Sequence, residues 1–253
     1  MVLLDPFLAK VKISRPDNVD GVEYPFCVPI IKNFKKLHFT SRITFFVGEN
    51  GSGKSTFLEA IALHAGFGFE GGSRNIHFQT GNYGNRQAVE RLSDCLQLSW
   101  RSKPKNGYFF RAESFFNLAN YLDQMAEFAG PEAYKPYGGV SLHAQSHGES
   151  FFSFFQHRIR SGGFFILDEP EAALSPQRQL SLLVIMHQLL KNSDTQFLIA
   201  THSPILLAFP GAIIYSCDGD ALCPMSYTQT AHYQIMKGFL SNPECYLQRL
   251  FEE

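Results

Sequence analysis

The sequence predicts an α/β fold in which helices flank a mostly parallel β-sheet, with an antiparallel β portion and a small helical subdomain. Three short apolar runs, residues 42–47, 164–167 and 196–200, have the character of strands buried on both faces of a sheet. Residues with helical spacing follow the first two runs, at 57–65 and 176–191. Buried strands that alternate with helices are typical of a doubly wound sheet.

Composition and net charge limit the classes of protein to which this chain can belong. The chain has 253 residues, of which 45% are hydrophobic and 18% charged, which excludes a disordered protein. A net charge of -1 argues against a broad electrostatic grip on nucleic acid or anionic membrane, although it leaves a local basic patch open. Five cysteines without a CxxC pair predict reduced thiols. No signal peptide or membrane-length apolar run is recognisable, so we expect a cytoplasmic protein without membrane insertion.

The first half of the chain predicts strands, a glycine-rich loop and two helices. The strand at 42–47 leads through the loop into a helix that ends at Gly66. Residues 67–106 predict an irregular, partly antiparallel β region with short segments at 75–79 and 95–100. A strand at 108–111 then precedes a helix over 114–128 that carries Phe115, Leu118, Leu122 and Met125.

The second half alternates helices and strands. Residues 130–139 predict a loop, and a helix begins near Ser146 or Gly148 and runs to about residue 160. The strand at 164–167 precedes a helix over 176–191, and two strands follow at 196–200 and 212–215. The tail, residues 228–253, predicts one or two helices. In the 176–191 helix we expect four side chains to face inward: Leu180, Leu183, Val184 and Leu190.

The loop after the first strand carries the strongest chemical signal in the sequence. Residues 48–55, GENGSGKS, fit the GxxxxGK[ST] pattern of a phosphate-binding P-loop, and they lie between a predicted strand and a predicted helix, as that motif requires. Backbone N–H groups of such a loop converge on an anion, Lys54 reaches the β- and γ-phosphates, and the Ser55 hydroxyl binds Mg²⁺. We expect ATP to contact Gly48, Asn50, Gly51, Gly53, Lys54, Ser55 and Thr56.

Two carboxylates at the end of the 164–167 strand complement the P-loop. Asp168 can hold Mg²⁺ opposite Ser55, and Glu169 can act as the general base that polarises the attacking water. An acidic turn after a strand is common, but it is improbable as a coincidence beside a P-loop. His202 follows the 196–200 strand, 34 positions after Asp168, where one further strand would bring it beside the γ-phosphate in a positioning role.

A fourth segment, residues 145–149, lies 22 residues before Asp168 and opens a helix. Ser146 fits an N-cap and Glu149 the capping-box position, so on its own the segment indicates only a helix start. The four segments taken in order resemble an ABC-type ATPase nucleotide-binding domain over nearly the whole chain. The resemblance implies an ATP-dependent homodimer, in which Ser146 and Gly148 of one chain contact the γ-phosphate bound by the other.

The resemblance also implies a single domain over residues 1–253. Residues 1–110 and 161–253 would form the ATP-binding core, and residues 111–160 a helical subdomain with the signature segment. Three features depart from the family pattern. His147 replaces the first glycine of the signature, the segment after Glu169 reads Ala-Ala-Leu-Ser in place of a SALD-like D-loop, and no Q-loop glutamine is recognisable. Arg111 or Glu113 would then sense the γ-phosphate, or they form only a surface pair at a helix start.

Ser146 lies 92 positions after Lys54, and the chain between them contains no heptad pattern. The protein therefore resembles a compact head without the coiled-coil arms of SMC and break-repair ATPases. It is similar to small stand-alone bacterial ATPases of the ABC/SMC-like group. The resemblance implies an ATP-driven dimeric switch that acts with an effector or nuclease partner in nucleic-acid maintenance or in phage-defence and toxin systems, and it leaves direct contact with nucleic acid open. Two other functions stay open: the ATP-binding subunit of a membrane transporter, and a nucleotide-binding module with negligible turnover. Tyr24 lies 24 positions before Gly48, where transporter ATPases place an adenine-stacking ring.

Phenylalanine is unusually frequent, at 25 copies beside a single Trp100. Pairs of phenylalanines precede the motif loops. Four more lie on more than one face of the helix that follows the signature: Phe151, Phe152, Phe154 and Phe155. We expect these rings to support the catalytic loops and to couple the helical subdomain to the ATP site.

Overall fold

Two β-sheets organise the computed structural model, which describes residues 5–15, 21–74, 85–192 and 194–252. A six-stranded sheet has the order β5-β6-β7-β3-β8-β9 and is parallel except for its last strand, and a three-stranded antiparallel sheet has the order β2-β1-β4. The strands are β1 (Leu8–Ile13), β2 (Lys36–His38), β3 (Ile43–Val47), β4 (Leu96–Trp100), β5 (Asn106–Arg111), β6 (Gly163–Asp168), β7 (Gln196–Ala200), β8 (Ile213–Ser216) and β9 (Cys223–Met225).

Helices connect the parallel strands and extend the chain beyond them. The α-helices are α1 (Pro29–Lys32), α2 (Lys54–His64), α3 (Arg86–Asp94), α4 (Phe115–Ala129), α5 (His147–Arg158), α6 (Pro176–Asn192), α7 (Pro204–Leu207), α8 (Ala231–Ser241) and α9 (Pro243–Phe251). Short 3₁₀ helices cover Gly130–Tyr137, Leu142–Ala144 and Tyr227–Gln229. The mostly parallel sheet, the antiparallel part and the flanking helices confirm the predicted fold class.

Paired phenylalanines fill the core on both faces of the six-stranded sheet. Because successive side chains of a strand point to opposite faces, the two rings of each pair enter different clusters. Phe45, Phe110 and Phe165 pack with the helical side, whereas Phe46, Phe109 and Phe164 pack with α2 and the antiparallel sheet. All six rings are buried. With each phenylalanine pair, one strand therefore contributes a ring to both hydrophobic clusters.

A buried glutamine of an interior strand joins the two sheets. The Gln196 side chain, at the start of β7, accepts a hydrogen bond from the Leu8 N–H at 2.7 Å and donates one to the Leu8 carbonyl at 3.2 Å. This pair of bonds satisfies both ends of an amide that is fully buried, which a buried polar group requires. It also fixes β1 against the central sheet.

Several predictions for individual elements were wrong. Within residues 67–106 the antiparallel strand β4 is present, but residues 86–94 form the helix α3. The sequence of this helix is mostly polar, and its short inward face includes only two apolar residues, Val89 and Leu92. The predicted segment 75–79 lies outside the described residues. The expected loop at 130–139 is largely the 3₁₀ helix Gly130–Tyr137.

Two helical faces also differ from the sequence pattern. In α6 the side chains of Leu180 and Val184 are exposed, because the helix turns Leu182 and Met186 to the core instead. In α4 the Met125 side chain is exposed beyond the buried Phe115 and Leu122. The tail does form two helices, α8 and α9, but no residue of either is buried.

Candidate ATP site

The P-loop occupies the turn between β3 and α2, as the motif predicted. Gly48, Gly51 and Gly53 have φ values of 152°, 83° and 95°, a backbone region that favours glycine. At Gly53 there is also no space for a side chain, because a Cβ atom would lie 2.6 Å from a methyl group of Val28. This geometry turns the loop tightly into the N-terminus of α2, where a helix dipole favours an anion.

A cavity of about 200 Å³ lies over this loop. Its lining combines the P-loop residues with one wall from the N-terminal region, and Glu169 closes it on the side of β6. The Tyr24 hydroxyl lies 2.8 Å from the Thr56 hydroxyl oxygen, so the tyrosine is held at the rim. The residues that line the cavity are Tyr24, Val28, Asn50, Gly51, Gly53, Lys54, Ser55, Thr56 and Glu169.

Lys54 is buried and its ammonium group is bound by its own loop. Its Nζ donates to the carbonyl oxygens of Gly48 and Glu49 at 2.7 and 2.9 Å. The loop is held from outside by Asp218, whose carboxylate accepts the Glu49 N–H at 2.5 Å. Asp218 follows β8, and no sequence pattern had pointed to it. These contacts keep the cation at the floor of the cavity.

The two predicted Mg²⁺ ligands lie in contact. The Ser55 hydroxyl donates to Oδ1 of Asp168 at 3.0 Å. Burial raises the pKa of the Asp168 carboxyl to about 7, against the opposing influence of Arg111, whose guanidinium favours the ionised form. A hydroxyl and a carboxylate are hard oxygen donors of the kind that Mg²⁺ prefers. In the described ranges no three His, Cys, Asp or Glu side chains cluster as a metal cage.

Arg111 lies in register beside Asp168 in the neighbouring strand β5. It is buried and forms an ion pair of 2.8 Å with the equally buried Glu59 of α2, and a second of 3.0 Å with the exposed Glu113. Arg111 is therefore held in the interior by Glu59, whereas its other partner, Glu113, is 74% exposed and lines no part of the P-loop cavity. The Glu59 partner was not predicted from the sequence.

Glu169 and His202 meet at the ends of β6 and β7. Glu169 has a φ of 51°, the one positive value among the described non-glycine residues, and its N–H donates to the Ala200 carbonyl at 3.0 Å. Nε2 of His202 lies 3.7 Å from Oε1 of Glu169. The Glu171 carboxylate accepts the His202 N–H at 2.6 Å and so fixes the backbone of that turn.

A second histidine, His232, completes this side of the site. It lies at the start of α8, and its Nε2 is 2.9 Å from Nδ1 of His202. Burial lowers the pKa of both rings, and Lys54 lowers both further. Nε2 of His202 is buried without a hydrogen-bond partner among the described residues. His232 belongs to no motif, so only the predicted helix start near residue 228 could have drawn attention to this segment.

The signature segment lies outside the P-loop cavity of the same chain. Ser146 is exposed, and its N–H and hydroxyl both donate to the Glu149 carboxylate, at 3.0 and 2.6 Å, which forms the predicted capping box at the start of α5. These bonds hold the pKa of the Glu149 carboxyl below its usual range. A Cβ atom at Gly148 would lie 3.1 Å from the Ala173 carbonyl, so the segment packs on the turn that follows Glu169.

Two protein-family models match the chain. One is described as an AAA domain and matches residues 27–120, and the other, described as "AAA domain, putative AbiEii toxin, Type IV TA system", matches residues 137–208. No curated protein matches the chain. In the described part of the chain no helix has the length and apolar character needed to cross a membrane.

The chain is also similar in structure to domains of other proteins whose structures are solved. The protein cbiO1 from Clostridium perfringens, part of the ABC transporter complex cbiONQ, aligns with a TM-score of 0.48 and 15% identity over 98% of this chain and 100% of that one. The SMC head domain from Thermotoga maritima aligns with a TM-score of 0.43 and 16% identity, over 87% of this chain and 99% of that one.

Proposed function

We propose that this chain, which AAA-domain family models match over residues 27–120 and 137–208, is an ABC/SMC-like ATPase that hydrolyses ATP with Mg²⁺ between two copies of itself and couples this to a partner. One observation carries the proposal. Three neighbouring parallel strands, β3, β7 and β6, bring Lys54, His202 and Asp168 to the same edge of the sheet. Ligands of open α/β sheets bind at this edge, outside the carboxyl ends of the strands.

In the proposed mechanism the P-loop holds the phosphates. Backbone N–H groups of Gly51 and Gly53 face an anion at the start of α2, and Lys54 exchanges its bonds to the Gly48 and Glu49 carbonyls for phosphate oxygens. A charged acceptor makes a stronger hydrogen bond than a neutral carbonyl, so this exchange favours the bound state. Tyr24, fixed against Thr56 at the rim, is placed to contact the nucleoside.

Ser55 and Asp168 would hold the metal ion. Their oxygens already lie 3.0 Å apart on one side of the cavity, and Asp168 has to be ionised to serve as a ligand. The neighbouring Arg111 favours that ionised form. When bound, Mg²⁺ would neutralise negative charge on the β- and γ-phosphate oxygens.

Glu169 is the proposed general base. Its carboxylate borders the cavity and is 43% exposed, so a water molecule can reach it. His202 lies between this carboxylate and His232. If the His232 Nε2–H donates to Nδ1 of His202, the proton of His202 stays on Nε2, which faces Glu169 and the cavity. His202 can then donate to a phosphate oxygen, and His232 is the residue that sets this tautomer.

The dimer follows from where the signature segment lies. Ser146 is exposed on the surface at the start of α5, with its hydroxyl free to exchange the Glu149 bond for a phosphate oxygen of a second chain. Gly148 lies two residues further along, in the first turn of α5, and is half-buried. We propose that these residues act across the dimer, so that each ATP is bound by the P-loop of one copy and the signature of the other.

The partner is proposed to be an effector of a toxin-linked or phage-defence system, or a nuclease in nucleic-acid maintenance. The second family model supports this, because its description refers to a toxin of a type IV toxin–antitoxin system. The departures from the transporter pattern at His147 and at residues 172–175 also favour it over a transporter subunit. ATPase rates measured with DNA, RNA and lipid vesicles separate these alternatives.

Substitution of the base tests the mechanism. We expect Glu169→Gln to slow hydrolysis by about 10²–10⁴-fold, the usual contribution of a general base, while ATP binding is kept and an ATP-bound dimer accumulates on gel filtration. Lys54→Ala should abolish ATP binding instead. Glu132→Gln, which removes an equally charged but exposed carboxylate far from the motifs, is the control and should hydrolyse ATP at the normal rate. Normal turnover by the Glu169→Gln protein would exclude Glu169 as the base.

A further inference from the structure

A second polar cavity lies at the opposite end of the six-stranded sheet from the P-loop. It has a volume of about 300 Å³ and is lined by Asn106 and Gly107, which begin β5, and by Arg160, which shortly precedes β6. The P-loop and Asp168 lie at the carboxyl ends of the parallel strands. Since a six-residue strand is about 20 Å long, the two cavities are separated by roughly that distance.

Positive charge is concentrated around this cavity. Four of its lining side chains are cations, Arg74, Lys105, Arg158 and Arg160, and none is acidic. An adjoining cavity of about 280 Å³ shares Arg74 and adds Lys103, His64 and Trp100. Among the described residues none of these five cations forms an ion pair. In a chain of net charge -1 this is a local excess of unpaired positive charge. We call the two cavities together the basic cleft.

Arg74, which is common to both cavities, is fixed before any ligand arrives. Its Nε donates to the Ala65 carbonyl at 3.1 Å and one Nη to the Pro104 carbonyl at 3.3 Å, while the guanidinium lies 5.6 Å from the centre of the Phe67 ring. A guanidinium has five N–H donors, so these contacts leave others for an anion. An ordered side chain loses little conformational entropy on binding.

Arg158 and Arg160 are ordered in the same way. The Arg158 guanidinium lies over the rings of Tyr108 and Tyr137, at 5.3 and 5.4 Å from their centres. Nε of Arg158 is buried without a hydrogen-bond partner among the described residues. Nε of Arg160 donates to the His157 carbonyl at 3.0 Å. The cleft therefore presents guanidinium groups that contacts within the protein already hold, beside the exposed ammonium groups of Lys103 and Lys105.

We propose that the basic cleft binds the phosphodiester backbone of single-stranded nucleic acid. Cations distributed over two adjoining cavities match a chain of phosphates better than a single phosphate group. The cleft is concave, which suits a flexible single strand, and the half-buried Trp100 ring at its far end can stack on a base. Contacts of this kind follow the backbone and do not select sequence.

Binding of a labelled oligothymidylate, measured by fluorescence anisotropy without ATP, tests the proposal. The double variant Lys105→Gln, Arg160→Gln changes two exposed side chains, so the fold should be kept. We expect its affinity to fall by at least about tenfold, and the slope of log affinity against log salt to become shallower by about 1.4, or roughly 0.7 for each lost phosphate contact. The double variant Lys35→Gln, Lys36→Gln carries the same charge change outside both cavities and should bind normally.

Other outcomes would overturn the proposal. These are an equal loss of affinity in the control variant, tighter binding of a duplex of the same length, or equally tight binding of polyglutamate or inorganic pyrophosphate. The result is separable from the proposed ATPase mechanism. Lys54→Ala should bind the oligonucleotide normally, and the Lys105→Gln, Arg160→Gln protein should keep its basal ATPase rate.

Discussion

His202 is the residue whose chemical state depends most directly on a neighbour. Its ring is neutral when burial and Lys54 lower its pKa, and a neutral imidazole carries its proton on only one of two nitrogens. We propose that the bond to His232 determines which one. A family motif specifies the histidine after the strand, but the residue that orients it comes from a helix 30 positions later. Sequence patterns do not report such a contact, because it depends on how the tail packs.

Substitutions of His232 test its positioning role. We expect His232→Phe, which keeps a ring but removes the donor, to lower kcat about three- to tenfold, the value of one hydrogen bond, with little change in KM. His232→Gln keeps an N–H near the position of Nε2 and should recover most of the rate. The ¹⁵N shifts of the His202 ring, followed by NMR, should indicate an Nε2–H tautomer in the unmodified protein and a mixture in His232→Phe.

Two outcomes would contradict this role. If His232→Gln loses as much activity as His232→Phe, the ring itself and not its donor is required. If His232→Phe changes neither kcat nor the ¹⁵N shifts of His202, the contact has no influence on the site. Lys237→Ala, on the same helix and away from His202, is the control for general disturbance of α8.

At the scale of elements, buried strands were the most predictable part of the fold. The strand Gln196–Ala200 was predicted to the residue, and β3 and β6 within one residue at each end, because strands buried on both faces are continuously apolar. The short amphipathic helix α3, in contrast, was not predicted from the sequence. Its nine residues contain three that are buried, too few for a periodic pattern to stand out. Which side chains of α6 face inward depends on the rotation of the helix about its own axis. The packing of the helix against the core sets that rotation, and the sequence pattern does not report it.

The helix α5 shows how an element can connect two parts of the molecule. Phe151, Phe154 and Phe155 share one face and are buried, whereas Phe152 is only half-buried. The Phe155 ring lies 4.9 Å from that of Phe110, directly before Arg111 in β5. The capping box of the signature begins the same helix. The helix therefore begins at the signature segment, and its buried phenylalanine rings contact the sheet.

Truncation of these rings tests that connection. We expect Phe155→Ala to lower the free energy of unfolding by about 3–5 kcal/mol, because it leaves a cavity in a close-packed core. Phe152→Ala removes a half-buried ring and should cost about 1 kcal/mol. Urea unfolding followed by circular dichroism measures both. If Phe155→Ala proves no more destabilising than Phe152→Ala, the ring at 155 does not support the core.

At the scale of the whole molecule, the residues assigned to the ATP site lie in two separate places on one chain. The P-loop, Asp168, Glu169 and His202 converge, and the sequence could predict this because each follows a strand of the same parallel sheet. Ser146 and Gly148 do not line that cavity. Only their position in the order of the motifs identified them as candidate site residues. In the proposed dimer, a second copy would bring them to the P-loop cavity.

Mixing two inactive chains tests whether the site is shared. Ser146→Arg should block the signature, and Lys54→Ala the P-loop, so that each protein alone is inactive. In a mixed dimer the Lys54 of one chain faces the Ser146 of the other, and one of the two sites is intact. Equal amounts should therefore recover about a quarter of the normal ATPase rate, because half of the dimers are mixed. Ser226→Arg, which alters another capping serine, should stay active alone and shows that the added arginine is tolerated. Absence of recovery at every mixing ratio would mean that Ser146 does not act across a dimer.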